Sequence, residues 1–278
     1  MSSLLPREVR RRLAALRGGE EPGPSPALTP AQPPEALLTV EPPPHLPLGR
    51  ALAGAEGSCL SFRLTAEAAH PVLAAWLAGS AAQLSGSPAD PALGHGLAFL
   101  DLETLGLSAA PLFLVGLMHG GPEGLHVHQF LARDYAEEAA VLEACHDLVA
   151  AAEVLVTYNG LSFDWPYLAD RLRYYRLPPL PQPGWHLDLL HVARRQCRGR
   201  LPNCSLTTVE THLLGLARRG DVPGADIPPL YHRAVAQEDL SLLAPVLHHN
   251  LVDLLSLACL AAQWRDHLCT RRPSHEAR

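Results

Sequence analysis

Asp101-Leu102-Glu103-Thr104 sets two carboxylates two residues apart, at the end of the short apolar run Leu97-Ala98-Phe99-Leu100. A strand repeats every two residues, so Asp101 and Glu103 project from one face. Carboxylates placed that way repel each other, and burying both costs energy unless a cation sits between them. A set of oxygen ligands suits Mg²⁺ or Mn²⁺. The plainer alternative is two solvated acids at a strand end.

Two further stretches carry similar chemistry. In Thr157-Tyr158-Asn159-Gly160-Leu161-Ser162-Phe163-Asp164 a strand runs into an Asn-Gly turn, and a helix starts near Phe163. Asp164 then stands at a helix N-terminus, where the macrodipole alone would favour an acid. In His248-His249-Asn250-Leu251-Val252-Asp253, Asp253 is a polar residue in an apolar helical pattern. His249 shares a helical face with Asp253, whereas His248 points well away from it. A neutral histidine there suits proton transfer near pH 7, and a surface histidine pair is the alternative.

The elements that must position these residues are legible in the hydrophobic pattern. Strand-like runs cover 58–64, 97–100, 112–118, 125–130 and 154–156. Helical periodicity covers 72–84, 137–151, 163–175, 189–196, 205–214 and 239–263, and Pro178-Pro179 stops the helix over 163–175. Three consecutive strands followed by alternating helices and strands give an α/β domain with a mixed sheet. Residues 2–17 have the spacing of a short amphipathic helix. Eleven of the 27 prolines fall within residues 1–50, so about 18–48 reads as an extended linker. The expected organisation is a short helix plus flexible Pro-rich linker over 1–48 and a small N-terminal extension over 49–95. The α/β domain then covers 96–265, and a tail covers 266–278.

Composition excludes several classes. The chain has 278 residues, is 47% hydrophobic and 18% charged, and carries a net charge of −6. All 22 basic residues are arginine. A P-loop, a protein kinase and a Schiff-base enzyme each need a lysine, so all three are excluded. None of the six cysteines forms a C-x-x-C pair, which argues against a zinc ribbon or a thioredoxin motif. With no secretory pattern after Arg7 and Arg10–Arg12, and no run of 18 apolar residues, the expectation is a cytoplasmic protein with free thiols and no membrane contact.

Taken together and in this order, the motifs resemble the DEDD exonuclease branch of the RNase H-like superfamily, and most closely its YprB-like bacterial family. The resemblance rests on Phe99–Thr104, Thr157–Gly160 with Asp164, His186–His191, Ala193–Arg195, Cys204–Leu206, Ile227–Tyr231 and His249-Asn250. It covers about 96–265 and implies an RNase H-like mixed sheet flanked by helices. It also implies that Asp101, Glu103, Asp164 and Asp253 bind two divalent cations, Mg²⁺ or Mn²⁺. Two such ions, about 3.5–4 Å apart, stabilise the attacking and leaving oxygens of an in-line displacement. The implied activity is hydrolysis of DNA or RNA, as a 3′–5′ exonuclease, with a histidine as general base. Motif spacing in the histidine type of this branch favours His248, while helix geometry and the YprB-like pattern favour His249.

Other residues carry weaker signals. Thr104 and Leu105 follow the acids, and the resemblance sets them against a terminal nucleotide. Tyr158 and Asn159 could contact substrate, although Asn159 also suits the turn beside Gly160. Asp188 reads as an acid that caps the next helix rather than a fifth metal ligand. Phe163 reads as core. Arg194, Arg195, Arg198 and Arg200, with Arg171, Arg173 and Arg176 upstream, form either a solvated face or a phosphate-binding cluster. His126 and His128 share a strand face without constituting a metal site. Against the nuclease stands a non-catalytic nucleic-acid-binding or scaffold protein on the same fold. The Pro-rich arm would then recruit a protein partner.

Overall fold

The computed structural model describes residues 38–43, 49–69, 96–121 and 124–264. The helices expected over 2–17 and 72–84, and the tail over 266–278, lie outside the described residues. The strands are β1 (Leu38–Val40), β2 (Arg50–Gly54), β3 (Gly57–Thr65), β4 (Leu97–Thr104), β5 (Leu112–Gly121), β6 (Gly124–Leu131), β7 (Val154–Thr157), β8 (Trp185–Asp188) and β9 (Leu216–Arg218). The helices are α1 (Ala66–Ala69), α2 (Glu138–Ala150), α3 (Asp164–Tyr174), α4 (Leu189–Cys197), α5 (Leu206–Leu213), α6 (Ile227–Gln237) and α7 (Ala244–Gln263).

Seven strands form one mixed sheet in the order β2-β3-β6-β5-β4-β7-β8. The pairs β4–β7 and β7–β8 are parallel, and the others are antiparallel. β4 is central because its first half is apolar on both faces. Leu100 and Leu102 join a core with Val141, Leu142 and Cys145 of α2 and Leu168 and Leu172 of α3. Phe99, on the opposite face, joins a second core with Val252, Leu255 and Cys259 of α7. Asp101 and Glu103 continue the Phe99 face, so period two carries them to the α7 side of the sheet. Leu240–Gln263, which comprises a 3₁₀ turn and α7, is long and apolar enough by composition to cross a membrane, but 78% of its apolar 18-residue stretch is buried within the protein. That is the pattern of a core helix packed on a sheet.

Local structure departs from expectation in three places. α6 is not among the expected helices; it begins at Ile227-Pro228-Pro229, and the two prolines occupy its first turn, whose N–H groups need no intrahelical partner. β2 and β3 are part of the main sheet, since β3 pairs with β6 from Leu60↔Leu131 to Thr65↔His126. β1, inside the span read as linker, pairs in parallel with β9 and buries Val40. Among the described residues Cys59, Cys145, Cys197, Cys204 and Cys259 are free thiols, all but Cys204 buried.

Candidate active site

β4 ends in an irregularity between Glu103 and Thr104, where its pairing with β5 shifts register. A bulge of this kind re-aims side chains at a strand end. Asp101 and Glu103 are half-buried there. Burial, and then the charges of Asp253, Glu103 and Asp164, hold the Asp101 carboxyl well above the usual carboxylate range. Burial, and then Asp253, Asp164 and Asp221, do the same to Glu103. Asp164 is the first residue of α3 and 5% exposed. Burial pushes it up to about 7, against bonds from its own backbone and that of Leu102, with Asp188 and Asp253 adding to the rise. Four acids from β4, α3 and α7 therefore act on one another at one end of the sheet.

Side-chain partners fix the arrangement. Asn250 Nδ2 donates to Asp101 Oδ2 at 2.8 Å and to the Asp101 carbonyl at 3.2 Å. Gln129 Nε2 in turn donates to Asn250 Oδ1 at 2.8 Å and to the Leu247 carbonyl at 2.7 Å. Asn250 fits only because Gly116 of β5 lies beneath it; a Cβ there would stand 2.1 Å from Asn250 Oδ1. These groups tie β4, β6 and α7 together at Asp101.

α7 carries His249 and Asp253 one turn apart, with His249 Nε2 3.6 Å from Asp253 Oδ2. His249 Nδ1 is bound by Asp221, at 2.9 Å and 3.0 Å from its two oxygens. Burial works against the charged imidazole, but the Asp221 bond and the Asp253 and Asp221 charges outweigh it and raise His249. Of the two histidines, the structure brings His249 to the acids; His248 is buried elsewhere on the helix. Arg218 of β9, its side chain 3% exposed, forks onto Glu210 at 2.6 Å and 2.7 Å and reaches Asp253 Oδ1 at 2.5 Å. Asp221, Arg218, Glu210, Asn250 and Gln129 were not singled out as single residues by sequence reasoning. Asn250 adjoins His249 in the motif, and Arg218 and Asp221 follow an apolar triplet; their partners come from other elements.

The remaining residues sort as follows. Asp188 accepts from the Leu190 and Asn159 N–H groups at 3.0 Å and 2.8 Å, so it caps α4 and pins the β7–α3 turn. Asn159 takes a positive φ of 68° in that turn. Its side chain is exposed, while Tyr158 donates its hydroxyl to the Cys204 carbonyl. The Thr104 hydroxyl donates to the Gly106 carbonyl, and Leu105 and Phe163 pack against the core. Arg171 is a correction: it is buried and forks onto Glu138, both bonds 2.5 Å, so it is not available to phosphate. Arg173 pairs with Asp170. His126 and His128 are joined by His119, whose Nε2 lies 3.1 Å from that of His128, a hydrogen bond within a histidine stack.

The sequence profile of the RNase H superfamily matches residues 98–265. The chain belongs to the RNase H superfamily. The match takes in every acid named above. Within this superfamily the chain is YprB-like: it is 40% identical over 171 residues to the uncharacterised protein YprB of Bacillus subtilis (strain 168). That match takes in 60% of this chain and 41% of YprB, so the chain spans well under two thirds of its relative. The family B DNA polymerase of the archaeon Pyrobaculum calidifontis shares the fold, with a TM-score of 0.50 and 18% identity over 62% of this chain and 25% of the polymerase. Escherichia coli ExoI, in its zinc-bound complex with single-stranded DNA, is a more distant likeness (TM-score 0.42, 16% identity, 64% of this chain and 44% of that one).

The donor chemistry suits a hard divalent cation: carboxylate oxygens at one end of the sheet, of which burial, and then the charge of neighbouring acids, raises Asp101, Glu103 and Asp164. In their present positions no three or more His, Cys, Asp or Glu side chains among the described residues form a group that could hold a metal ion. Asp253 is instead paired with Arg218.

Proposed function

We propose that this protein is a divalent-metal-dependent nuclease that hydrolyses phosphodiester bonds of DNA or RNA as a 3′–5′ exonuclease. The observation that carries the proposal is that Asp101, Glu103 and Asp164 are raised by burial and then by neighbouring acids, Asp253 among them, beside a histidine oriented by its own carboxylate. Asp101, Glu103, Asp164 and Asp253 would hold two Mg²⁺ or Mn²⁺ ions, which when bound supply charge stabilisation at the reacting phosphate. Asn250 holds Asp101 in place, and Gln129 holds Asn250. Asp221 accepts from His249 Nδ1, which fixes the tautomer and turns Nε2, 3.6 Å from Asp253 Oδ2, towards the acids, where it would take a proton from the attacking water. Arg218 offsets the charge of Asp253.

The Arg218–Asp253 pair is also the observation that favours the second reading, a nucleic-acid-binding protein without turnover. End-labelled single-stranded DNA and RNA, incubated with Mg²⁺ or Mn²⁺ beside the Asp101→Asn protein, distinguish the two. A ladder that shortens from the 3′ end, and is lost with EDTA and in the variant, is the expected result. Equal degradation by wild type and variant would overturn the nuclease proposal.

A further inference from the structure

A groove of about 830 Å³ opens beside the Tyr158–Asn159 turn, between α4 and the loop that leads into α5. None of its twelve lining residues is acidic, although the chain as a whole carries a net charge of −6. Two of them are arginines. Arg194 lies in the last turn of α4 and Arg198 is its C-cap, four residues on. Both are exposed, and neither has a carboxylate partner among the described residues. The loop wall is fixed across the groove by the hydroxyl of Tyr158, bound to the Cys204 carbonyl at 2.6 Å. Ser205 caps α5, accepting from the Thr208 N–H, so the positive end of that helix opens on the same space.

The groove adjoins the turn that leads to the acids. Asn159, in its wall, and Leu161 both donate their N–H groups to Asp188, and Asp164 opens α3 three residues after Leu161. A strand laid along Arg198 and Arg194 and then Asn159 runs towards that acid. Two exposed guanidiniums suit successive phosphodiesters. The Tyr158 ring with Leu190, Leu201 and Pro202 gives apolar surface for unpaired bases and sugars, which a duplex keeps stacked inside.

We infer that this groove binds the phosphodiester backbone of a single nucleic-acid strand, on Arg194 and Arg198, and leads its end to the acids. The inference deepens the nuclease proposal but is tested without turnover. Anisotropy of a fluorescent 12-nucleotide single strand is titrated in EDTA with the full chain. Comparison is made with the Arg194→Ala/Arg198→Ala protein and with Arg173→Ala, which removes a charge outside the groove.

The double variant is expected to raise Kd about 10-fold or more, and to flatten the slope of log K against log salt by about 1.4, the value for two lost phosphate contacts on a single strand. Arg173→Ala should match wild type. An Arg194→Lys/Arg198→Lys protein should recover the salt slope, and unchanged thermal unfolding shows that the fold is intact. Wild-type affinity and slope in the double variant overturn the inference. So does an equal loss in Arg173→Ala, undetectable binding by wild type, or competition by a blunt duplex as effective as that of the single strand. Hydrolysis by wild type against Asp101→Asn is read separately, so the nuclease proposal can fail while the groove stands.

Discussion

Asp101 is the residue on which the site turns, because it touches Asn250 and is perturbed by three other acids. The folded protein binds protons on Asp101, Glu103 and Asp164 more readily than the unfolded chain does, so below about pH 4 these acids add nothing unfavourable. Asp164 ionises as pH rises through about 7, Asp101 and Glu103 also ionise well above the usual carboxylate range, and the stability present at low pH is lost. In EDTA, unfolding should therefore occur at lower temperature at pH 8 than the other groups alone would give. Mn²⁺ should raise the unfolding temperature at pH 8 and have little effect at pH 5. Asp101→Asn should stabilise the metal-free protein at pH 8, blunt the response to Mn²⁺ and abolish hydrolysis. An undiminished response to Mn²⁺ in Asp101→Asn would remove Asp101 from the ligand set. For the histidine, loss of a general base costs about 10²–10⁴-fold in kcat. His249→Ala should show a fall in that range, and Asp221→Asn a smaller one of about 10–100-fold, with KM little changed. His248→Ala should retain turnover if it folds. Steady-state kinetics on all three proteins check this.

Elements bring these residues together through a few close approaches. α7 crosses β5 at Gly116, and Gly116→Ala would drive a methyl group into Asn250, which Asp101 depends on. Hydrolysis should fall sharply in Gly116→Ala while far-ultraviolet circular dichroism stays native. α2 and α3 are joined by Glu138 and Arg171, whose side chains are 1% and 8% exposed. Glu138 also accepts from the Leu112 N–H at 2.8 Å and the Tyr175 hydroxyl at 3.0 Å. Removing one partner of such a buried pair leaves an uncompensated charge and costs about 3–5 kcal/mol. Urea unfolding of Arg171→Ala is expected to show a loss of that size, and a loss below about 1 kcal/mol would contradict the assigned role. β9 positions Arg218 and leads to Asp221, and β1 is its only paired strand among the described residues.

At the scale of the whole molecule, one sheet separates two cores, and the acids sit where β4 leaves both. His128 lies on the other face of the sheet. Burial, then the charges of His119, Arg63 and His126, pull His128 down to about 4. The unfolded chain takes up that proton near pH 6.5, the folded protein only near 4, so stability present above pH 6.5 is lost as pH falls towards 4. This slope is opposite in sign to that of the acids. Denaturation at pH 7 and pH 5 should show less loss on acidification in His128→Gln than in wild type, and an identical loss in both would contradict it.

The sequence by itself determined which residues could do the chemistry and which elements carry them. Period two fixed Asp101 and Glu103 on one face of β4, the Asn-Gly turn fixed the start of α3 near Asp164, and helical spacing set His249 beside Asp253. The expected helices over 137–151, 163–175, 189–196 and 205–214 correspond to α2 to α5 within a residue at each end, because apolar periodicity and local breakers are properties of a short stretch of chain. What the tertiary structure alone decided was partnership. Asp221 is 28 residues from His249, Arg218 is 35 from Asp253, and Gln129 is 121 from Asn250. No local pattern ties such pairs together. Arg171 reads like its neighbours Arg173 and Arg176 in the sequence, yet burial beside Glu138 withdraws it from solvent, while Arg194 and Arg198 stay exposed along the groove. A charged side chain has no preference of its own for a phosphate or a carboxylate; the fold brings one of them within reach.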